Sequence, residues 1–432
     1  MFLTVFRLAF KNYNYPNYQE ASMLNIPKIV ENFPKLRQSN EIHADAPGGT
    51  QVPEGVINAI SHYLIHQNAN LGAAFRTSKE SDQTLLNAGI TVQALLNART
   101  NSEIIFGNNM TSLTFHISRS IGNTLQAGDR ILLSKLDHEA NISPWQLMAR
   151  DKKCEVDFVE IDSETCTFNK ADLERKLSKK PKLFAFTACS NATGTLNDIP
   201  NLTKLGHDAG AIVYVDAVHY APHKLIDVTQ WDCDFLACSA YKFFGPHVGI
   251  LYGKESILNN LQPYKVRPAA DSNPGKWMTG TQNHEGIAGT TAAIDYLASL
   301  SGANDSTSKR TQLEKAFNKI EEYEKTLSTC FLEGIRKLDG IEIVGLKDLE
   351  NINQRVATFA LTSKKVPANI MAKELALKGI FAYSGNFYAK TLMETLGYEG
   401  KGGVLRIGFV HYNNLNQVEV ILDELKRILS SK

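Results

Sequence analysis

From about residue 53 to residue 300 the chain alternates helix-like stretches with short apolar runs: SEIIFG, DRILLSKL, CEVDFVEI, KLFAFTAC, AIVYVDAV, CDFLACSA and VGILYG. Several of these runs are apolar throughout and lack the in–out alternation of a half-exposed strand, so both of their faces must be covered. Helices on either side of a mainly parallel sheet meet that demand, which predicts an α/β domain with a sheet of about seven strands. Beyond residue 300 the texture changes. A polar linker, SGANDSTSK, leads into KAFNKIEEYEKTLSTCFLEGIRKL, whose apolar spacing is helical; strand-like IEIVG, RVATFAL and VLRIGFV and a closing helix, NQVEVILDELKRIL, follow. This predicts a smaller α+β domain. No internal repeat or low-complexity segment breaks the pattern.

Composition fits that picture and narrows the class. With 432 residues, 43% hydrophobic and 21% charged, the chain is long enough for about two domains with a large core. The expected division is a large α/β domain over 44–300, a small α+β domain built from 23–43 and 301–432, and a frayed extension over 1–22, ahead of Met23. The opening MFLTVFRLAF is apolar but carries Arg7, lacks a leading basic region and is followed by polar residues without a small-residue cleavage site, so it reads as neither signal peptide nor anchor. No stretch reaches the roughly 18 apolar residues of a membrane span. Net charge is +1 with no long basic or acidic run, which argues against a nucleic-acid groove or an anionic membrane surface as partner. Small molecules, or copies of the chain itself, are the expected partners. The six cysteines are scattered and form neither a CxxC pair nor a cluster with histidines, so a reducing cytoplasm is expected and no metal site.

Ligands of open parallel sheets gather beyond the carboxyl ends of the strands, which directs attention to the residues after each apolar run. Asp216 follows AIVYV, and Lys242 follows CDFLACSA within SAYKFFGPH. Burial disfavours the charged form of an amine and turns a lysine into a nucleophile, although lysines at strand ends also snorkel to solvent. Asp216 alone also reads as a helix cap or a salt-bridge partner. Together the two suit pyridoxal 5'-phosphate, which needs a lysine to hold its aldehyde as a Schiff base and an acid beside its ring nitrogen. Displaced by an amino acid, that lysine can shuttle a proton. Two further needs have candidates: Met110 and Thr111 in GNNMTSLTFHIS for the phosphate, at a loop opening a helix, and His138 in LDHEANISPW as a flat partner for the ring.

The stretch VDAVHYAPHKLIDVTQWDCDFLACSAYKFFGPHVGILYG resembles the central signature of the class V aminotransferase family, fold-type-I enzymes dependent on pyridoxal phosphate that include cysteine desulfurases. The likeness runs from DAPGGTQVPEGV near residue 45 to RIGFVHYNN near residue 410. It implies Lys242 as the Schiff-base lysine, Asp216 at the ring nitrogen, His219 at the ring hydroxyl and His138 stacked on the pyridine. It implies Met110, Thr111, Ser239 and Tyr241 around the phosphate. SNATGTLNDI matches a family loop and implies Asn191 near the ring hydroxyl and the substrate carboxylate. Arg406 stands where the family keeps its carboxylate-clamping arginine. Thr281, in TGTQNHEGIAG, corresponds to a residue that reaches the phosphate of a neighbouring subunit, which implies a homodimer.

One departure bears on the reaction. Cysteine desulfurases take sulfur onto a mobile cysteine shortly before the carboxylate-binding arginine. Here that region reads FAYSGNFYAKTLMETLGYEGKGGVLR, without a cysteine, and the nucleophile position falls near Tyr388. Cys189 and Cys238 read as inert thiols inside apolar strands, and Cys330 as a helix residue. The resulting expectation is an enzyme acting at the alpha carbon of a small amino acid through an external aldimine, by C–S cleavage of desulfurase or lyase type. Transamination, epimerisation assisted by Tyr383 or Tyr388, and a low-turnover cofactor-binding role are the alternatives.

Overall fold

The computed structural model describes residues 24–303 and 306–430; the extension expected over 1–22 lies outside them. Along the chain run β1 (Ile42–His43), β2 (Ile104–Gly107), β3 (Arg130–Ser134), β4 (Glu155–Val159), β5 (Leu183–Thr187), β6 (Ile212–Asp216) and β7 (Phe235–Ser239). They are followed by β8 (Gly249–Gly253), β9 (Ile341–Val344), β10 (Thr358–Ser363), β11 (Ile380–Phe381), β12 (Tyr383–Gly385) and β13 (Val404–Gly408). The larger sheet has the order β2-β8-β7-β6-β5-β3-β4. Its strands share one direction except β8, which runs against both neighbours. Each of the seven apolar runs of the sequence is one of these strands. CEVDFVEI, the most polar of them, is the edge strand β4, where burial is needed on fewer sides.

The two-sided covering shows residue by residue. On β5, Phe184 and Phe186 enter one core cluster while Leu183 and Ala185 enter another; on β6, Val213 and Val215 part from Tyr214 in the same way. The period of two sends successive apolar side chains to opposite helical layers, which is why these strands carry no polar alternation. The smaller sheet, β12-β13-β10-β9, is antiparallel. It packs its own core, in which Phe331 lies 4.5 Å from Phe359 and 5.5 Å from Phe409 between ring centroids.

The helix Lys309–Ile335 joins the two cores. Its 27 residues extend about 40 Å at 1.5 Å per residue. Leu313, Phe317 and Ile320 pack in a core of the large sheet, while Leu327, Phe331 and Ile335 pack in that of the small one. The segment 24–44 is likewise shared: Leu24, Ile29 and Phe33 join the large core, and Ile42 and Ala44 the small one. Among the described residues no helix is long and apolar enough to cross a membrane. The short strands β1, β11 and β12 had no counterpart in the sequence pattern, because two or three residues cannot display a period.

One glycine governs how closely the sheet approaches the turn after β2. Gly249 on β8 lies opposite Gly107, and a Cβ there would stand 2.4 Å from the backbone carbon of Asn109. Asn109 caps the helix Met110–Gly122 by accepting from the Ser112 amide at 2.8 Å. Gly249→Ala should therefore cost about 1–3 kcal/mol, as overpacking does. Urea unfolding measures it, and a stability equal to that of the parent chain would show that the turn yields freely.

Candidate active site

A cavity of about 680 Å³ opens at the carboxyl ends of β2, β3, β5, β6 and β7, with residues of β12 and β13 on its far wall. This is where a parallel sheet leaves backbone groups and loop side chains facing a common space. Met110, Thr111, His138, Asn191, Asp216, His219, Ser239, Tyr241, Lys242 and Arg406 all line it. Thr281 is exposed, ahead of the helix His284–Ser299, and is not among the lining residues.

Lys242 ends the short turn Ala240–Lys242 that follows β7. The chain then turns sharply: Phe244 adopts a left-handed φ of 69° and donates its amide to the Thr50 hydroxyl at 2.8 Å. Lys242 Nζ donates to the carbonyls of Pro47 and Gly48. Burial, and then Arg406, lower its pKa to about 7, against the opposing pull of Asp216. The amine is therefore substantially neutral at physiological pH, as a nucleophile must be. Asp216, 4% exposed at the end of β6, is raised by burial to about 6; the Val218 amide, donating at 2.9 Å, and Lys242 oppose the shift.

The end of the cavity beside β2 is built largely from backbone. The helix Met110–Gly122 points its N-terminus into the cavity, and the Met110 amide donates to the buried Ser239 hydroxyl at 3.0 Å. The Thr111 amide, which follows it in the first turn, and the positive dipole end suit an anion. Tyr241 stacks on His247 at 5.0 Å, and its backbone carbonyl accepts from Thr50.

His138 follows β3 at a turn fixed by a buried network that nothing in the sequence pattern signalled. Asp137 accepts from Ser134 and from Asn141 (2.7 Å), and Asn141 accepts from Trp145 at 2.9 Å. His138 itself accepts from the Ala140 amide at 3.0 Å, and its ring stacks on Tyr388 at 5.4 Å. Burial, then Lys242 and Arg406, lower its pKa to about 4, so the imidazole is neutral. His219 is also held neutral, chiefly by burial.

Three groups are left waiting for a partner. His219 Nδ1 and Asn191 Oδ1 are buried without a hydrogen bond. Arg406 is 5% exposed and lies 4.1 Å over the Phe387 ring. It donates to the Asn191 carbonyl at 2.8 Å, and burial lowers its pKa to about 9. A buried guanidinium that faces a carbonyl and an aromatic ring is prepared for an anion. The unpaired atoms, the neutral lysine, the acid and the helix N-terminus fit a phosphorylated pyridine aldehyde together with an amino acid.

The loop expected beside the substrate, with Tyr388 in it, does line the cavity, but its backbone geometry and the place of Phe387 had no signal in the sequence. Phe387 and Tyr388 both take left-handed backbone angles, φ 55° and 58°, a conformation that costs roughly 1–2 kcal/mol for a residue with a Cβ. The loop is held at three points. The Asn191 side-chain Nδ2 donates to the Phe387 carbonyl at 2.9 Å, the Glu139 backbone amide to the Tyr388 carbonyl at 2.7 Å, and Asn386 Oδ1 accepts from the Tyr388 backbone amide at 3.0 Å. Tyr388 is 70% exposed. Cys189, expected inside a strand, instead stands two residues past β5 on the cavity wall. It is fully buried, and burial pushes its thiol well above the usual range, which leaves it inert as a nucleophile.

Comparison with known proteins agrees with this architecture. A family model described as aminotransferase class-V matches residues 42–421. An aminotransferase-like protein of Gibberella zeae is 29% identical over 422 residues, covering 95% of this chain and 100% of the relative. A probable cysteine desulfurase of Vibrio cholerae is 30% identical over 419 residues, covering 93% and 97%. Among solved structures, an apo cysteine desulfurase from Thermococcus onnurineus superposes with a TM-score of 0.85 at 24% identity, over 95% of this chain and 100% of the other. A cysteine desulfurase from Escherichia coli superposes with a TM-score of 0.81 at 25% identity, over 95% and 99%. The match spans the sheet, the cavity and the small sheet alike: the chain belongs to the class V aminotransferase family, enzymes of fold type I that depend on pyridoxal phosphate.

Proposed function

We propose that this enzyme cleaves a C–S bond of a small amino acid as a lyase, without passing sulfur to a thiol of its own. The observation that carries the reading is one cavity that joins Lys242, Asp216 and Arg406 but whose closing loop offers Tyr388 where a thiol would be needed. Bound there, pyridoxal phosphate supplies an electron sink for the pair of electrons left when a proton leaves the substrate's alpha carbon. Asp216 would hold the ring nitrogen protonated, His219 and Asn191 would take the ring hydroxyl, and His138 would cover the ring face. Met110, Thr111, Ser239 and Tyr241 would seat the phosphate. Lys242 would bond the aldehyde carbon and, once displaced, take the proton from the alpha carbon on Nζ. Arg406 would fix the substrate carboxylate, aided by the Phe387 ring that shields it from water. The relatives named cysteine desulfurases support the C–S bond as the target.

Association with a second copy completes the proposal. Ile57, Leu64, Ile65, Leu71 and Phe75 are exposed along one stretch of chain, apolar side chains that a second copy would cover. With Thr281 also facing outward, a homodimer is the arrangement that uses both. No disulfide forms among the described residues, which suits a reducing compartment such as the cytoplasm.

Four outcomes follow. Borohydride reduction of the protein incubated with pyridoxal phosphate should fix the label on Lys242, faster as pH rises through about 7 because the amine loses its proton there. Peptide mass spectrometry reads the site; no label, or the same label yield in Lys242→Ala, refutes the cofactor assignment. With L-cysteine, sulfide should appear together with pyruvate and ammonia; sulfide with alanine means desulfuration, and no sulfide directs the search to transamination or epimerisation. Arg406→Leu should raise KM for the amino acid about tenfold or more, roughly 1.4 kcal/mol, with less effect on cofactor labelling. Light scattering should give twice the 47.9 kDa chain mass; a monomer removes the dimer from the proposal.

A further inference from the structure

Behind His219 lies a buried acid–base pair that the proposed chemistry does not use. His219 and His223 share the turn after β6, their rings edge to face at 5.1 Å and 77°. His223 Nδ1 lies 2.7 Å from Glu324 Oε2, on the long helix Lys309–Ile335. All three side chains are buried, and Glu324 Oε1 has no hydrogen bond. The carboxyl thus has a single partner. On its other side His219 Nε2 meets the Thr358 hydroxyl at 3.0 Å, on β10 of the small sheet. The imidazole in the cavity wall is held between a neighbouring imidazole and a hydroxyl from another sheet.

Stability alone is a poor reason for such a pair. Burying a carboxyl and an imidazole costs desolvation that their mutual attraction rarely exceeds, and apolar residues of similar volume often serve a core as well or better. Orientation is a better reason. With Nδ1 anchored by the carboxyl, the His223 ring cannot turn, and the edge-to-face contact passes that constraint to its neighbour. Thr358 fixes Nε2, so Nδ1 is left as the nitrogen without a partner. Other charged groups facing His219 are Lys242 and Arg406 across the cavity. Around His223 lie His411 and the Lys224–Glu321 ion pair.

We propose that Glu324 and His223 are a positioning pair that fixes the ring plane of His219, so that Nε2 stays on the Thr358 hydroxyl and one tautomer is kept, and ties this part of the cavity wall to the helix joining the two cores. Its consequence for catalysis rests on the cofactor reading above; the pair itself does not.

The test uses the full-length chain with 15N-labelled histidine and long-range 15N–1H spectra, which report the tautomer and charge of each ring. His219 is identified as the signal lost in His219→Gln. In the parent chain it should show one neutral tautomer. In Glu324→Gln and in His223→Gln its two nitrogen shifts should move toward each other as the tautomers average, while Glu321→Gln, on the same helix, leaves them in place. Unchanged His219 shifts in folded Glu324→Gln overturn the proposal. Should that variant fail to fold, the double replacement Glu324→Leu with His223→Leu removes the buried charge altogether: averaged His219 shifts support the pair, and parent-like shifts refute it. The spectra need no cofactor, so failure here is separable from a missing label on Lys242.

Discussion

Three ionisable side chains, Lys242, Asp216 and Arg406, surround one cavity at the carboxyl ends of the sheet, and the cost of removing them from water shapes everything nearby. Desolvation lowers the lysine and the arginine and raises the acid, each toward its uncharged form. A protein that only needed stability would have filled the space with apolar side chains. The cost is bearable because the groups stand on rigid supports. Asp216 ends a central strand, Lys242 follows the next one, and Arg406 sits within β13, paired on both sides. Strand ends give fixed positions without further side chains to brace them.

The small sheet is essential to that arrangement, because Arg406 and the 386–389 loop come from it while the lysine and the acid come from the large one. Their relative placement depends on elements that pack in both cores. The long helix does this with a change of partner midway, from Phe317 and Ile320 to Leu327 and Phe331. Backbone contacts add to it, as in the Gly408 amide donating to Ala44 and the Val356 amide to Gly194. Shifting the helix by one turn would separate the guanidinium from the lysine by several ångströms, so the core packing of a distant helix is also a condition on the site.

Much of this was legible in the sequence. Strands buried on both faces announce themselves as unbroken apolar runs, and in an open sheet the residues that line the cavity stand where those runs end; placing Asp216 and Lys242 there needed no more than that. His138 and the Met110–Thr111 turn were readable for the same reason. Arg406 was different: within VLRIGFV it is one charge in a strand, and family resemblance was needed to single it out. The buried Asp137–Asn141–Trp145 network, Cys189 on the cavity wall and the link from His223 to Glu324 gave no signal. Each depends on contacts made by the folded chain, and in the last case 101 residues separate the partners. Periodicity reports what faces a core, not which polar atoms meet inside it.

The loop at Phe387 and Tyr388 shows how one fold can direct a shared chemistry to different ends. Two adjacent left-handed residues with large side chains persist only when their surroundings over-determine them, and here Asn191, Glu139 and Asn386 do so. The outcome is that Phe387 lies against Arg406 and Tyr388 against His138. A loop so fastened is poorly suited to carry sulfur away from the cavity, since transfer by a covalent carrier requires the carrier to move. It is well suited to hold a substrate's carboxylate and side chain while a leaving group departs into solvent. The absence of a thiol at this position and the anchoring of the loop both support the elimination proposed above.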